Sequence, residues 1–166
     1  MAFDVDVLVK KLVMTDDIKE KESIARQIHA EAKARGVFLA SIHDVYIARG
    51  KGQGKNFTVP AMNLRSLTYD LARAVFRVAK RLNAGAFIFE IAKSEMGYTD
   101  QPPVEYVGVV LGAAIKEGHR GPVFIQGDHC QIKAAAYATD KKKEVASLKD
   151  LVADCVAAGF YNIDVD

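Results

Sequence analysis

The sequence predicts an α/β fold built on a parallel sheet, and three observations lead there. Between Phe57 and Asp166, four short apolar segments alternate with three longer segments of helical periodicity. The apolar segments are continuous runs, as expected of strands buried on both faces. Their strand–helix–strand order implies right-handed crossovers, which bring the C-terminal end of every strand to one rim.

The region before Phe57 reads as helical. Asp4 to Met14 forms one short helix. Thr15 is the expected N-cap of a second, with Ile24, Ala25, Ile28 and Ala32 on one face and Gly36 as its stop. A third apolar segment, Val37 to Gly50, leads into the Gly/Lys-rich stretch up to Asn56. That stretch invites a phosphate-loop reading and fails it. Only Lys51, Gly52 and Gln53 separate Gly50 from Gly54, and Asn56 stands where Ser or Thr should follow the lysine. Residues 1–56 are therefore expected to be a helical extension and linker, and residues 57–166 the α/β unit.

Within that unit Phe57 to Asn63 is the first strand. Ser66 is the expected cap of a helix carrying Leu67, Leu71, Ala74, Val75, Val78 and Leu82 at helical spacing. Ala86 to Ala92 is the second strand. Asp100 to Pro103 opens a helix whose stripe is Val104, Val107, Leu111, Ala114 and Ile115, ended by Gly118. Pro122 to Asp128 is the third strand. Ser147 with Asp150 resembles a capping box for a helix bearing Leu148, Leu151, Val152, Cys155 and Val156, stopped at Gly159. Phe160 to Asp166 is the fourth strand.

At 166 residues the chain suffices for one domain with a real core. A net charge of +2 argues against a nucleic-acid or polyanion footprint. The run Lys141 to Lys143 is expected on a solvated loop or helix start. Cys130 and Cys155 make neither a disulfide framework nor a zinc knuckle, and Cys155 is expected in the core. No run approaches the roughly 18 apolar residues of a membrane span. Acids stand where a secretion signal would carry basic residues. The expected compartment is the cytoplasm.

Four polar clusters meet at the strand ends: Asn63, Glu90 to Glu95, Gly127-Asp128-His129, and Asp164 to Asp166. A histidine there can offer a neutral imidazole to a divalent metal, and the carboxylate beside it can act as a general acid or base. The plainer alternative has Asp128 capping a turn and His129 bonded to backbone. Gly127 and Asp166 weigh toward chemistry: the glycine permits close approach, and Asp166 ends the neighbouring strand.

The segments Thr58–Asn63, Phe87–Tyr98, Val123–Cys130 and Gly159–Asp166 resemble the first four strands of the class II, metal-dependent fructose-bisphosphate and tagatose-bisphosphate aldolases. The apolar run ending in Asp-His-Cys is the most specific element. The resemblance implies the first four βα units of a TIM-type (β/α)8 barrel, a half-barrel preceded by N-terminal helices. It implies that His129 ligates a catalytic Zn2+ or another divalent cation, that Asp128 exchanges a proton with the substrate's C4 hydroxyl, and that Asn63 lines the substrate pocket. Asp166 matches an aspartate that helps hold a second divalent ion in some members. The implied reaction is metal-assisted aldol cleavage and condensation of a ketose phosphate, without a Schiff-base lysine, so Lys93 and Lys133 are expected to be surface residues. Two departures stand out: Gln126 replaces a family histidine, and Ala92 stands where the family has a serine, with Ser94 two residues on. His29, His43 and His119 are expected too far away to complete the metal centre. The chain is thus expected to be the N-terminal half of a longer barrel, inactive by itself, with a sugar-phosphate substrate and self-association through an open sheet edge. Two other classes stay open: a metal-independent sugar-phosphate isomerase or epimerase, and a non-catalytic half-barrel.

Overall fold

A computed structural model of the chain describes residues 3–54 and 56–166. Lys55, the lysine of the rejected phosphate-loop reading, and Met1 and Ala2 lie outside the described residues. The described residues form a five-stranded parallel sheet and eight helices. In order these are α1 (Val5–Met14), α2 (Ile18–Ala34), β1 (Val37–Leu39), α3 (His43–Gly50), β2 (Ala61–Asn63) and α4 (Thr68–Leu82). There follow β3 (Ile88–Ala92), α5 (Lys93–Tyr98), α6 (Pro103–Lys116), β4 (Gly121–Asp128), α7 (Ala134–Thr139), α8 (Lys141–Ala158) and β5 (Asn162–Ile163). The α/β class and the parallel sheet agree with expectation. No described helix is long and apolar enough to cross a membrane.

The region before Phe57 is not wholly helical. Val37–Leu39 is a strand, paired in parallel with the start of β4 from Val37↔Gly121 to Leu39↔Val123. Further along, β4 pairs with β5 at Gln126↔Asn162 and Gly127↔Ile163. Gly36 O accepts from Gly121 N, Val123 O from Ala40 N, and Gly127 O from Asp164 N. Backbone polar groups two residues apart on a strand point the same way, so positions 121, 123 and 127 address one edge of β4. Two strands share that edge end to end. The opposite edge of β4 pairs with β3, and β3 with β2.

Helix α6 is the centre of the main core. Its sequence reads as one apolar stripe, yet nearly every residue from Pro103 to Ile115 is buried, because α1 and α2 cover the side away from the sheet. Gly108 and Gly112 make that approach possible. A Cβ on Gly108 would meet Leu12 Cδ2 at 2.5 Å, and one on Gly112 would meet Val9 Cγ2 at 2.4 Å. The stretch read as an extension is therefore a layer over the α/β unit, sharing its core.

Three expected caps are corrected. Asp17, not Thr15, caps α2 through Lys19 N, while Thr15 Oγ1 accepts from Asp17 N just outside the helix. Asp140 caps α8 through Lys143 N, so the helix starts at Lys141, and Ser147 lies inside it. Ser66 caps nothing: α4 begins at Thr68 after Leu67 in the left-handed region, φ 48°. The phase of α4 is corrected too. Its buried positions are Thr68, Ala72 and Phe76, while Leu67, Leu71, Val78 and Leu82 of the expected stripe are exposed. The helix has two apolar sides, and periodicity alone does not choose between them. Cys155 is fully buried, and Gly36 and Gly159 end their helices with positive φ.

Burial lowers the pKa of both His29 and His119 below the ordinary range. The unfolded chain then binds protons first as the pH falls below about 6.5, so these two groups cost stability on acidification. His129 and Glu90 have raised values and act in the opposite sense. In urea titrations between pH 7.5 and 5.5, the His29→Gln/His119→Gln variant should lose less stability on acidification than the parent chain. An equal or steeper loss would refute this assignment.

Candidate metal and acid–base site

The two-residue period of a strand sorts the sheet's side chains. Phe89, Ile91, Val123 and Ile125 face the helical core, while Ile88 and Phe124 face a smaller cluster under α3 with Ala40 and Val45. The positions following Ile88 and Phe124 on that second face are polar. Register makes Asn63, Glu90, Gln126 and Asn162 a single row across β2, β3, β4 and β5. The next row toward the strand C-termini holds Ala92 and Asp128, with Asp164 just past β5. Alternation and parallel register place these groups at the strand ends.

Asn63 connects the outer strand to the centre. Its Nδ2 donates to Asp128 Oδ2 at 2.9 Å and to Glu95 Oε2 at 3.0 Å. Glu95, on the first turn of α5, also accepts from Ala92 N at 2.9 Å and Arg65 at 2.7 Å. In the row of Asn63 itself, Gln126 donates to Glu90 at 2.7 Å. Burial raises the Glu90 pKa, with further contributions from the Asp128 and Asp164 charges.

His129 leaves β4 in the left-handed region at φ 45°, which turns its side chain toward the end of β5. The loop is fixed on both sides: Cys130 N donates to Asp164 O at 2.9 Å, and Lys93 Nζ to Gln131 O at 3.0 Å. Lys93 also pairs with Glu144, which accepts from Lys133 N. Lys93, expected to be a surface residue, is thus a largely covered clamp, whereas Lys133 is exposed.

The His129 ring lies between carboxylates. Its Nδ1 is 3.1 Å from Asp166 Oδ2, and its Nε2 is 3.9 Å from Asp128 Oδ1. A carboxylate only accepts, so Nδ1 carries the proton and the neutral ring presents a lone pair at Nε2. Asp166, followed by Asp128, raises the His129 pKa. Ligand atoms of Asp128, His129 and Asp164 all lie within 4.8 Å of one another. Asp166, expected to help hold a second divalent ion, is the hydrogen-bond partner of the ring in this arrangement, and Asp164 is the third residue of the group.

A cleft of about 480 Å³ adjoins Asp164 and is lined by Ser41, His43, Gln126, Asn162 and Ile163 among others. Its wall is held by Ser41 Oγ, which donates to Asn162 Oδ1 at 2.9 Å. His43, set aside in sequence with the N-terminal helices, therefore borders the site's face. His29 and His119 do not line this cleft. A larger cleft of about 980 Å³ lies beyond the N-terminal end of β3, around Asn83 to Ala86, away from these groups. Ser94 is exposed on α5, and Ala92 occupies the row of Asp128.

The sequence reading named Asp128, His129, Asn63 and Asp166. It assigned no individual role to Glu95 or Asp164, although both lay in the polar strand-end segments. Strand alternation could have singled out Asp164, whereas Glu95 depends on α5, which carries no clear sequence signal. Neither a family model nor a curated protein matches this chain.

Proposed function

We propose that the chain is the first half of an aldolase-like (β/α)8 barrel and carries part of a divalent-metal centre for ketose-phosphate aldol chemistry. The observation that carries this reading is the approach of Asp128, His129 and Asp164 within 4.8 Å at the C-terminal ends of neighbouring parallel strands. The His129 imidazole and the Asp164 carboxylate suit Zn2+ or Mn2+, and the Asp128 charge beside them adds to the attraction while its carboxylate stays outside the ligand set. When bound, the ion would supply a Lewis acid for a ketone oxygen.

The chain's own residues supply the rest. Asn63 holds Asp128 Oδ2, which leaves Oδ1, on the His129 side, to take the C4 hydroxyl proton in cleavage and return it in condensation. Asp166 fixes the ring tautomer that turns the Nε2 lone pair toward the site. The outer edge of β2 has no ladder partner among the described residues, and Leu67 before the following helix and Leu71 and Leu82 on it are exposed. Both features fit a unit that packs against further βα units, and homo-oligomerisation through this edge is expected.

Calorimetric titration of the metal-free chain with Zn2+ and with Mn2+ tests the centre. His129→Ala should lower affinity at least about 100-fold, and Asp166→Ala about 10–100-fold, as expected for an outer partner. Absence of binding to the parent chain would end the metal reading. A second reading, proton transfer without a metal, is favoured by the Asp166–His129 hydrogen bond and the raised His129 pKa. Activity on a sugar phosphate that survives chelation would select it.

A further inference from the structure

We infer that Glu95 is a positioning residue that locks the side-chain amide of Asn63 and thereby sets which oxygen of Asp128 is free for chemistry; this rests on the proposed role of Asp128. The argument starts from the amide. Asn63 has one acceptor oxygen and one nitrogen with two protons, and a simple flip exchanges them. Here the nitrogen faces two carboxylates, Glu95 Oε2 at 3.0 Å and Asp128 Oδ2 at 2.9 Å. Ionised carboxylates accept and cannot donate, so both protons of Nδ2 are used and the flipped amide would set an oxygen against two anions.

Glu95 is suited to hold this arrangement. It is only 6% exposed, and its two oxygens accept from Ala92 N, Asn63 and Arg65. The Ala92 bond ties it to the end of β3, and the Arg65 guanidinium balances its charge. Glu95 is thus anchored to the sheet end independently of Asp128. Its effect passes through Asn63 to Oδ2 of Asp128, which leaves Oδ1 beside the His129 ring as the available oxygen.

The decisive substitution is Glu95→Gln, which keeps the shape but adds a donor. An amide there can donate to Asn63 Oδ1, so the flipped orientation gains a partner. Thr99→Val is the control: Thr99 Oγ1 donates to Glu95 O at 2.7 Å, so this change loosens α5 without touching the carboxylate. Two readouts apply to the full chain. NMR of the Asn63 side-chain amide should show both protons shifted downfield in the parent, with at least one moving upfield in Glu95→Gln and neither in Thr99→Val. Zn2+ affinity should fall about 10-fold or more in Glu95→Gln and stay within about 2-fold in Thr99→Val. Unchanged amide signals in Glu95→Gln, or an equal loss of affinity in Thr99→Val, would overturn the inference. A parent chain that binds no Zn2+ removes the metal reading, and the amide signals then decide the role of Glu95 alone.

Discussion

Lys21→Ala should cost the fold about 3–5 kcal/mol, the largest single-site loss expected outside the aromatic core. Lys21 lies on α2 and Glu105 on α6, and their side chains pair directly at 9% and 6% exposure. The ammonium also donates to Leu12 O at 3.0 Å, at the end of α1. Glu105 accepts from Gln101, which in turn accepts from Thr68 at the start of α4. Four helices thus meet at one charged pair. Truncating the lysine leaves Glu105 buried without its cation, and that uncompensated charge accounts for most of the cost. A paired Lys21→Met/Glu105→Gln variant removes both charges and should recover more than half of the loss. Urea unfolding of the two variants checks this. A single and a paired substitution of equal cost would show that packing, not charge, governs the site.

Gly112→Val should be nearly as severe, with a loss of about 2–4 kcal/mol, slightly above the usual overpacking range. The added Cβ alone would stand 2.4 Å from Val9 Cγ2. That methyl has little room to retreat, because a β-branched side chain in a helix has essentially one χ1 rotamer. Gly112→Ala also gains roughly 1 kcal/mol of helix propensity, so its net loss should be smaller. Combining it with Val9→Ala removes the clashing methyl, and the double variant should be more stable than the sum of the two single losses. The expected signature of a displaced α1 is trypsin cleavage at Lys10 or Lys11 under conditions where the parent resists. Additive losses with α1 still protected would contradict the contact.

How much of this was legible in the sequence depends on what each feature needs. The four apolar strands and the alternation around them declare themselves through run length and periodicity; β2, β3 and β5 lie within those stretches, and β4 begins one residue before its own, at Gly121. The strand β1 did not. Val37 to Leu39 lies at the start of a longer apolar segment read as helical, and it draws its strand character from its partners Gly121 to Val123. The phase of α4 was missed because both Leu71 and Phe76 are apolar, and only tertiary neighbours, Phe89 of β3 among them, decide which is inside. The site shows the same division. Asp128, His129 and Asn63 end recognisable strands, so their convergence follows from parallel topology. Alternation along the last strand also points to Asp164, whereas Glu95 acquires its position from a short helix that no linear pattern displays.

The shared edge of β4 also has a consequence in time. As the chain emerges from synthesis, β1 is complete roughly eighty residues before its partner strand begins, a wide loop to close. Until Gly121 to Val123 emerge, Val37 to Leu39 have no β4 ladder to join. Once β4 is present, β1 and β5 must take opposite halves of one edge, and an overreaching β5 would compete with β1 for it. Refolding of the isolated chain should accordingly show a phase slowed by substitutions in β1, because closing the wide loop between β1 and β4 limits that phase.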